Sequence, residues 1–348
     1  MRKIAYIEID THAEIAQNFI EVMQDLEDFV VDYYFSKKIK DQIKYDGESV
    51  FFSDSSMVLE QLKFKKYDLI IVGTVHRYFN TFLTIAEKYN TAFIVHNINF
   101  TKVSKLSLIK NIFKEDFIYR LKLWWKEGLF YASKTYDKAK NLLVLDEKLC
   151  SDTYKFLPIF YTKDFITSDN KSLTIIIPGG VSQKRRDYRH IFKTIKDLNT
   201  SENITFIFLG KALDNELKML EEISSGLPEN ITVKYFSERV SSEEFESWMQ
   251  KADVLWCPIQ QNTAFFSQQE TYGITKMTGN LGDAIKYGKL AVFPQNYSSN
   301  LDFIVPEKEN IIEQFHELKK ISFDFHTKYN KKSVQRSLES VLNQLISI

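Results

Sequence analysis

Ten short, predominantly apolar runs, each followed by a longer amphipathic stretch, constrain this chain more than any other feature. In the first half the runs fall at 4–9, 30–35, 69–73, 92–96 and 142–145; in the second half they fall at 173–177, 205–209, 232–235, 254–257 and 290–293. Most are near-continuous apolar runs without a regular period-two alternation. A strand of this kind is covered on both faces, as in a parallel sheet flanked by helices. The stretches between them, such as 13–23, 81–88, 189–198, 215–223 and 242–251, carry apolar residues at helical spacing. Strand and helix in strict alternation predict right-handed crossover units. Ten strands are many for one doubly wound sheet, and 348 residues suffice for two domains of ordinary size. The expected fold is α/β, with two Rossmann-like domains whose parallel sheets face a cleft.

The boundary is expected near 155–170, where Phe156-Leu157-Pro158 breaks an element and Thr167-Ser168-Asp169-Asn170 reads as a polar connector. This gives a first domain over 1–165, a second over 166–325, and a final helical stretch over 326–348. That last stretch carries Val334, Leu338, Val341, Leu342 and Leu345 on a helical period, needs an apolar surface, and is expected to return to the first domain.

Composition narrows the function class. The 46 basic residues balance 46 acidic ones, so global charge gives no case for a nucleic-acid partner. The two cysteines, Cys150 and Cys257, stand in apolar settings and are expected to be buried. The first apolar run is too short for a signal-peptide core, and no run approaches the roughly 18 residues that cross a bilayer. A cytoplasmic protein is expected. Walker and dinucleotide glycine motifs are both absent. No Asp-x-Asp follows a strand and no acid or His set has ligand spacing, so the expected chemistry uses no metal and no bound cofactor.

Ligands of open parallel sheets bind beyond the carboxyl ends of the strands. The run at 173–177 is followed by Gly179-Gly180 and then by Lys184-Arg185-Arg186. A glycine turn lets backbone approach a ligand, and clustered cations ahead of a helix suit a phosphate. The second candidate is 275–287, read as a helix closed by Gly288. Lys276 and Asp283, seven residues apart, would share a face with Gly279 between them.

The order Gly179-Gly180…Lys184-Arg185-Arg186, Phe208-Leu209-Gly210-Lys211, Ala252-Asp253-Val254 and Asp283-Ala284-Ile285-Lys286-Tyr287-Gly288-Lys289 resembles the C-terminal domain of a GT-B glycosyltransferase. It is most similar to the large retaining family that includes sucrose synthases and many bacterial polysaccharide transferases (family 4-like). The resemblance covers about 170–295. It implies a donor nucleotide-sugar gripped at its diphosphate by Gly179, Gly180, Lys184, Arg185, Arg186, Lys276 and Gly279. It puts Asp283 in the place of the family's ribose-binding Glu. The family's preceding Glu falls on Thr275, and Glu270 is the nearest acid upstream. A metal-independent hexosyltransferase is implied, with a saccharide or lipid-linked saccharide acceptor entering from the first domain.

His12, His76 and His96 all follow strands of the first domain, with Asp10 beside the first and Asn97 after the last. Histidine titrates most readily near neutral pH, which makes His96 and His12 the catalytic candidates there, alongside Glu270. The stretch 101–127 interleaves seven cations with apolar residues and the pair Trp124-Trp125. It reads either as a peripheral contact with an anionic membrane or as an amphipathic helix pair packed on the first domain with its tryptophans buried. Two rival readings remain: a non-hydrolysing nucleotide-sugar epimerase, and a non-enzymatic two-lobed sugar-binding protein.

Overall fold

The computed structural model describes residues 1–114, 116–164 and 172–347. The first domain contains seven strands: β1 (Arg2–Glu8), β2 (Phe29–Phe35), β3 (Val50–Phe52), β4 (Leu69–Val72), β5 (Thr91–Ile94), β6 (Asn141–Val144) and β7 (Tyr154–Phe156). They form one sheet in the order β3-β2-β1-β4-β5-β6-β7, and every pairing is parallel. The second domain adds β8 (Leu173–Pro178), β9 (Ile204–Lys211), β10 (Ile231–Phe236), β11 (Val254–Trp256), β12 (Asn262–Phe265), β13 (Gln268–Thr271), β14 (Ala291–Phe293) and β15 (Ile304–Pro306). Six of these form a second parallel sheet, ordered β10-β9-β8-β11-β14-β15.

All ten predicted strands are present, and their burial follows their composition. The four residues of β4 and the six of β8 are buried throughout, as two-sided cover by helices requires. The proposed break at 156–158 contains the end of β7, while the connector 167–170 and the boundary at 165 lie outside the described residues. Cys257 is buried, but Cys150 is exposed; it follows a single 3-10 turn whose Leu149 turns inward instead. The helix Lys331–Ile346 inserts Val334, Leu338, Leu342 and Leu345 into the core beside Ile4, Phe19 and Ile20 of the first domain.

β12 and β13 pair antiparallel, apart from both main sheets. Their turn places Phe266 and Ser267 at positive φ. This hairpin leaves the second domain and reaches the first, where Phe265 and Phe266 pack on Phe100 with ring centroids 4.8 and 5.4 Å away. Arg120 Nη1 donates to Ser267 Oγ at 2.9 Å, and Gln268 Nε2 to Ser107 Oγ at 2.6 Å.

Candidate active site

The sheet order of the first domain assembles a histidine cluster. β1, β4 and β5 are neighbours, so the residues after their carboxyl ends converge. His12 follows β1, His76 follows β4, and His96 follows β5. The rings of His12 and His96 stack with centroids 4.1 Å apart, and His76 lies 5.4 Å from His96.

The loop carrying His12 is held from below by Glu8, the last residue of β1. Its buried carboxyl accepts from the amides of Asp10 and Thr11, both at 3.3 Å, and from Thr74 Oγ1 at 2.8 Å. Burial pushes Glu8 up to about 8, against the opposing pull of His12 and these hydrogen bonds. His12 itself adopts φ 64°, a left-handed conformation unusual for a residue with a side chain. Its Nδ1 lies 2.9 Å from Glu14 Oε1. Burial alone depresses a histidine, but the Glu14 carboxylate outweighs it and His12 is raised above its ordinary value. His76 and His96 go the other way: burial, then the charge of His12, hold both well below the ordinary range. His96 Nε2 donates to the carbonyl of Gly73 at 2.8 Å. His76 Nε2 accepts from Asn97 Nδ2 at 3.0 Å. The cluster thus holds one basic imidazole and two neutral ones.

Facing it from the second domain are Arg185 and Lys276. Together with the histidines they line an interdomain cavity of about 700 Å³, whose wall also includes Asp116, Tyr119, Gly279 and Asn280. Lys276 Nζ donates to Asn97 Oδ1 at 2.8 Å. Burial and the positive charge of Arg185 bring Lys276 down to about 8, with Glu270 opposing. Arg185 has no ion-pair partner among the described residues. Two cations held near each other, one without a counter-ion, are arranged for an anion. A second recess of about 690 Å³ is lined by second-domain residues alone, such as His190, Gln260 and Glu307, and draws nothing from the other lobe.

The helix expected over 275–287 is shorter than that. It runs Gly279–Tyr287, capped by Thr278, whose Oγ1 accepts from the amide of Asn280 at 3.3 Å. Lys276 therefore lies in a turn before the helix, where Gly273 takes φ 77° and donates to the carbonyl of Lys276. Gly279 has open space where a Cβ would stand, so the amino end of the helix is uncovered at the cavity. Asp283 is one turn further along, off the cavity wall. It accepts from Asn280 Nδ2 at 3.4 Å, and burial raises it to about 6 against Lys286, Asn280 and Arg186.

The remaining candidates take different places. Arg186 lines the cavity beside Arg185 and also folds over the glycine turn: Nη1 donates to the Gly180 carbonyl at 3.1 Å and Nη2 to Asn280 Oδ1 at 3.3 Å. Gly179 and Gly180 thus lie beneath Arg186 and off the cavity wall, and Lys184 is exposed outside it. Gly210, at the end of β9, lets the turn sit close, since a Cβ there would stand 2.4 Å from the carbonyl of Gly179. Glu270 is fully buried on β13, and its carboxylate accepts from the amides of Asn99 (3.3 Å) and Phe100 (2.9 Å). It fastens the hairpin to the first domain and does not reach the cavity. Sequence reasoning missed Glu14, Asn280 and the hairpin, and gave Asn97 no role; Glu14, two residues after His12, was the most findable. Among the described residues no group of three or more His, Cys, Asp or Glu side chains could hold a metal ion.

No protein-family model matches the sequence, and a search of curated proteins finds no relative. Solved structures do match over the whole length. The lipopolysaccharide outer core galactosyltransferase WaaB, in its apo form, superposes with TM-score 0.54 at 10% identity, over 98% of this chain and 99% of that one. An alpha-glucosyltransferase in complex with UDP gives 0.54 at 12% identity over the full length of both chains. The same kind of enzyme with UDP-glucose and DNA containing an abasic site gives 0.54 at 13% identity, over 99% of each. With two parallel sheets facing a shared cleft and full-length likeness to these transferases, the chain has the GT-B fold.

Proposed function

We propose that this chain is a glycosyltransferase that takes its sugar from a nucleotide-activated donor. The observation that carries the reading is the cavity between the lobes, where Arg185 and Lys276 on one side face the His12–Glu14 pair on the other. The donor diphosphate would lie against Arg185, Lys276 and the free amino end of the helix Gly279–Tyr287, where cations and amide dipoles stabilise the charge that develops on departure. Arg186 and Asn280, also on the cavity wall, would in addition fix the glycine turn. Asp283 is the candidate for the ribose hydroxyls, reached where the nucleotide runs past Asn280. No metal is required, because the cations supply the neutralisation.

Transfer breaks the bond between the anomeric carbon and the diphosphate oxygen and forms one to an acceptor hydroxyl oxygen, releasing the nucleoside diphosphate. The hydroxyl proton goes to His12. Its Nδ1 donates to Glu14, which leaves Nε2 as the acceptor and stabilises the imidazolium that forms. His96 and Asn97 stand on the same wall, His96 stacked on the His12 ring at 4.1 Å. Full-length likeness to a galactosyltransferase and to glucosyltransferases binding UDP supports the reading. An epimerase would need paired acids around the sugar; on this wall Asp10 is drawn to Arg77 at 3.4 Å.

The test is thermal stabilisation by UDP and GDP, followed by a donor-hydrolysis screen across nucleotide-sugars. Stabilisation lost in Arg185→Ala and Lys276→Ala supports the assignment. Equal stabilisation in both variants, or stabilisation by free sugar alone, would sink it.

A further inference from the structure

Among the described residues, the helix Lys105–Ile112 and the helix Phe117–Glu127 form a projecting pair on the first domain. Their inner faces bury Leu108, Ile112 and Leu123. Their outer faces are not polar. Leu106, Ile109, Phe113, Phe117, Ile118 and Trp125 are all exposed, Ile118 and Trp125 to 83% each. The rings of Phe113 and Phe117 stack at 5.4 Å and join the two helices into one surface. This overturns the reading that both tryptophans are buried. Soluble surfaces carry single apolar residues commonly but rarely a continuous group of this size.

The described charges around the patch are mainly basic, with Asp116 the exposed acid at the junction of the two helices. Lys102, Lys105, Lys110, Lys114, Lys122 and Lys126 are exposed, and none forms an ion pair with another described residue. Large apolar side chains ringed by lysines match a single kind of partner: a surface apolar inside and anionic at its edge, that is, a bilayer with acidic headgroups. A nucleic acid would use the lysines but leave Ile118, Leu106 and Phe113 in water. The chain as a whole has no net charge, so the basic rim is local.

The location adds a function. Asp116, Tyr119 and Arg120 line the interdomain cavity, and Phe117 and Ile118 stand on the same turn facing outward. One element is therefore the cavity wall on one side and the apolar patch on the other. We propose that this helix pair docks the protein on an anionic bilayer with its edge in the headgroup layer. The cavity mouth then opens at the membrane surface, and the acceptor is a saccharide carried on a lipid. The docking half stands on the patch alone; the acceptor half rests on the transferase reading above.

The experiment is co-sedimentation of the full chain with vesicles of phosphatidylcholine alone and of phosphatidylcholine with phosphatidylglycerol, using the Ile118→Glu/Trp125→Glu variant as control. Binding to the anionic vesicles is expected to be at least about tenfold tighter than to the neutral ones, and to fall at least about tenfold in the variant. Both substituted residues are exposed, so folding is checked by unchanged thermal stabilisation with UDP and GDP. A second variant, Lys110→Glu/Lys122→Glu, should lose the preference for anionic lipid. No binding to anionic vesicles, or binding that both variants keep, would overturn the proposal. So would a dimer in solution, or duplex-DNA binding, that Ile118→Glu/Trp125→Glu abolishes. Vesicle binding with no nucleotide effect would leave the docking face standing and remove the transferase reading, so the two fail separately.

Discussion

Lys276 Nζ lies 2.8 Å from Asn97 Oδ1, so an amide of the first domain holds the ammonium that the second domain offers to the cavity. The same amide donates to His76 Nε2. A single asparagine thereby reads both lobes at once, and it orients the cation without neutralising it. A carboxylate at this position would quench the positive charge.

Lys276 should make diphosphate binding pH-dependent. Its free-state value of about 8 means that the binding-competent ammonium is lost as pH rises through that point. Titration calorimetry with UDP or GDP should show affinity falling above about pH 8. Lys276→Arg, which stays charged, should keep its affinity to higher pH, though its fork fits the Asn97 contact less well. Lys276→Ala should lose about tenfold or more at neutral pH, as removal of a charged hydrogen bond does.

His12 acts as a base only when deprotonated. Because its value is raised above the ordinary histidine range, transfer should be weak in acid and rise as pH climbs through that raised value. His12→Gln should lower kcat by roughly 10²–10⁴ and erase this limb while leaving nucleotide affinity nearly unchanged. Glu14→Gln removes the carboxylate that raises His12, so the limb should move to lower pH. A limb unmoved in Glu14→Gln would disprove the pairing.

Glu8 carries a stability signature of its own. Its folded value of about 8 exceeds the unfolded value of 4.5, so between these pH values the folded state binds the extra proton. Stability from this group is present in mild acid and declines as pH rises from about 4.5 to 8. Glu8→Gln should flatten that decline, measured as the melting-temperature difference between pH 5 and pH 8.

Gly210→Ala should damage the glycine turn at Gly179-Gly180, which Arg186 covers, through the backbone. The added methyl would stand 2.4 Å from the carbonyl of Gly179, and a rigid backbone cannot swing aside as a flexible side chain would. A loss of about 1–3 kcal/mol is expected from overpacking, together with weaker diphosphate binding. Gly180→Ala, with its nearest neighbour 3.9 Å away, is the control and should be mild.

The sequence revealed the strands of both main sheets because their burial on two faces leaves near-continuous apolar runs. It hid what lacks that mark. β3, β7 and β15 have three residues each and are incompletely buried, unlike the equally short β11 and β14, which are buried throughout. The hairpin β12–β13 is largely polar, and its turn uses Phe266 and Ser267 at positive φ in place of the usual Asn-Gly. Arg185, Lys276 and the histidines were legible as charged or titratable groups at strand ends. Lys276 was placed on the helix because Thr275 to Tyr287 keeps a helical period, but the cap at Thr278 starts the helix later. Asn97 and Asn280 stand beside recognisable residues yet carry no charge, and only the three-dimensional arrangement gives them a role. Glu270 looked like an active-site acid, and the hairpin claims it for holding the lobes together.

The hairpin has a further effect on how the molecule can work. Phe265 and Phe266 sit in the first domain while their chain belongs to the second. Complete parting of the lobes would strip both half-buried rings into water, at a cost below the roughly 1.5–3 kcal/mol of a fully buried side chain for each. The resting protein is stitched across its own mouth. Under the proposed transferase reading, spent nucleotide would leave by a limited swing around that stitch, and an acceptor would thread past it.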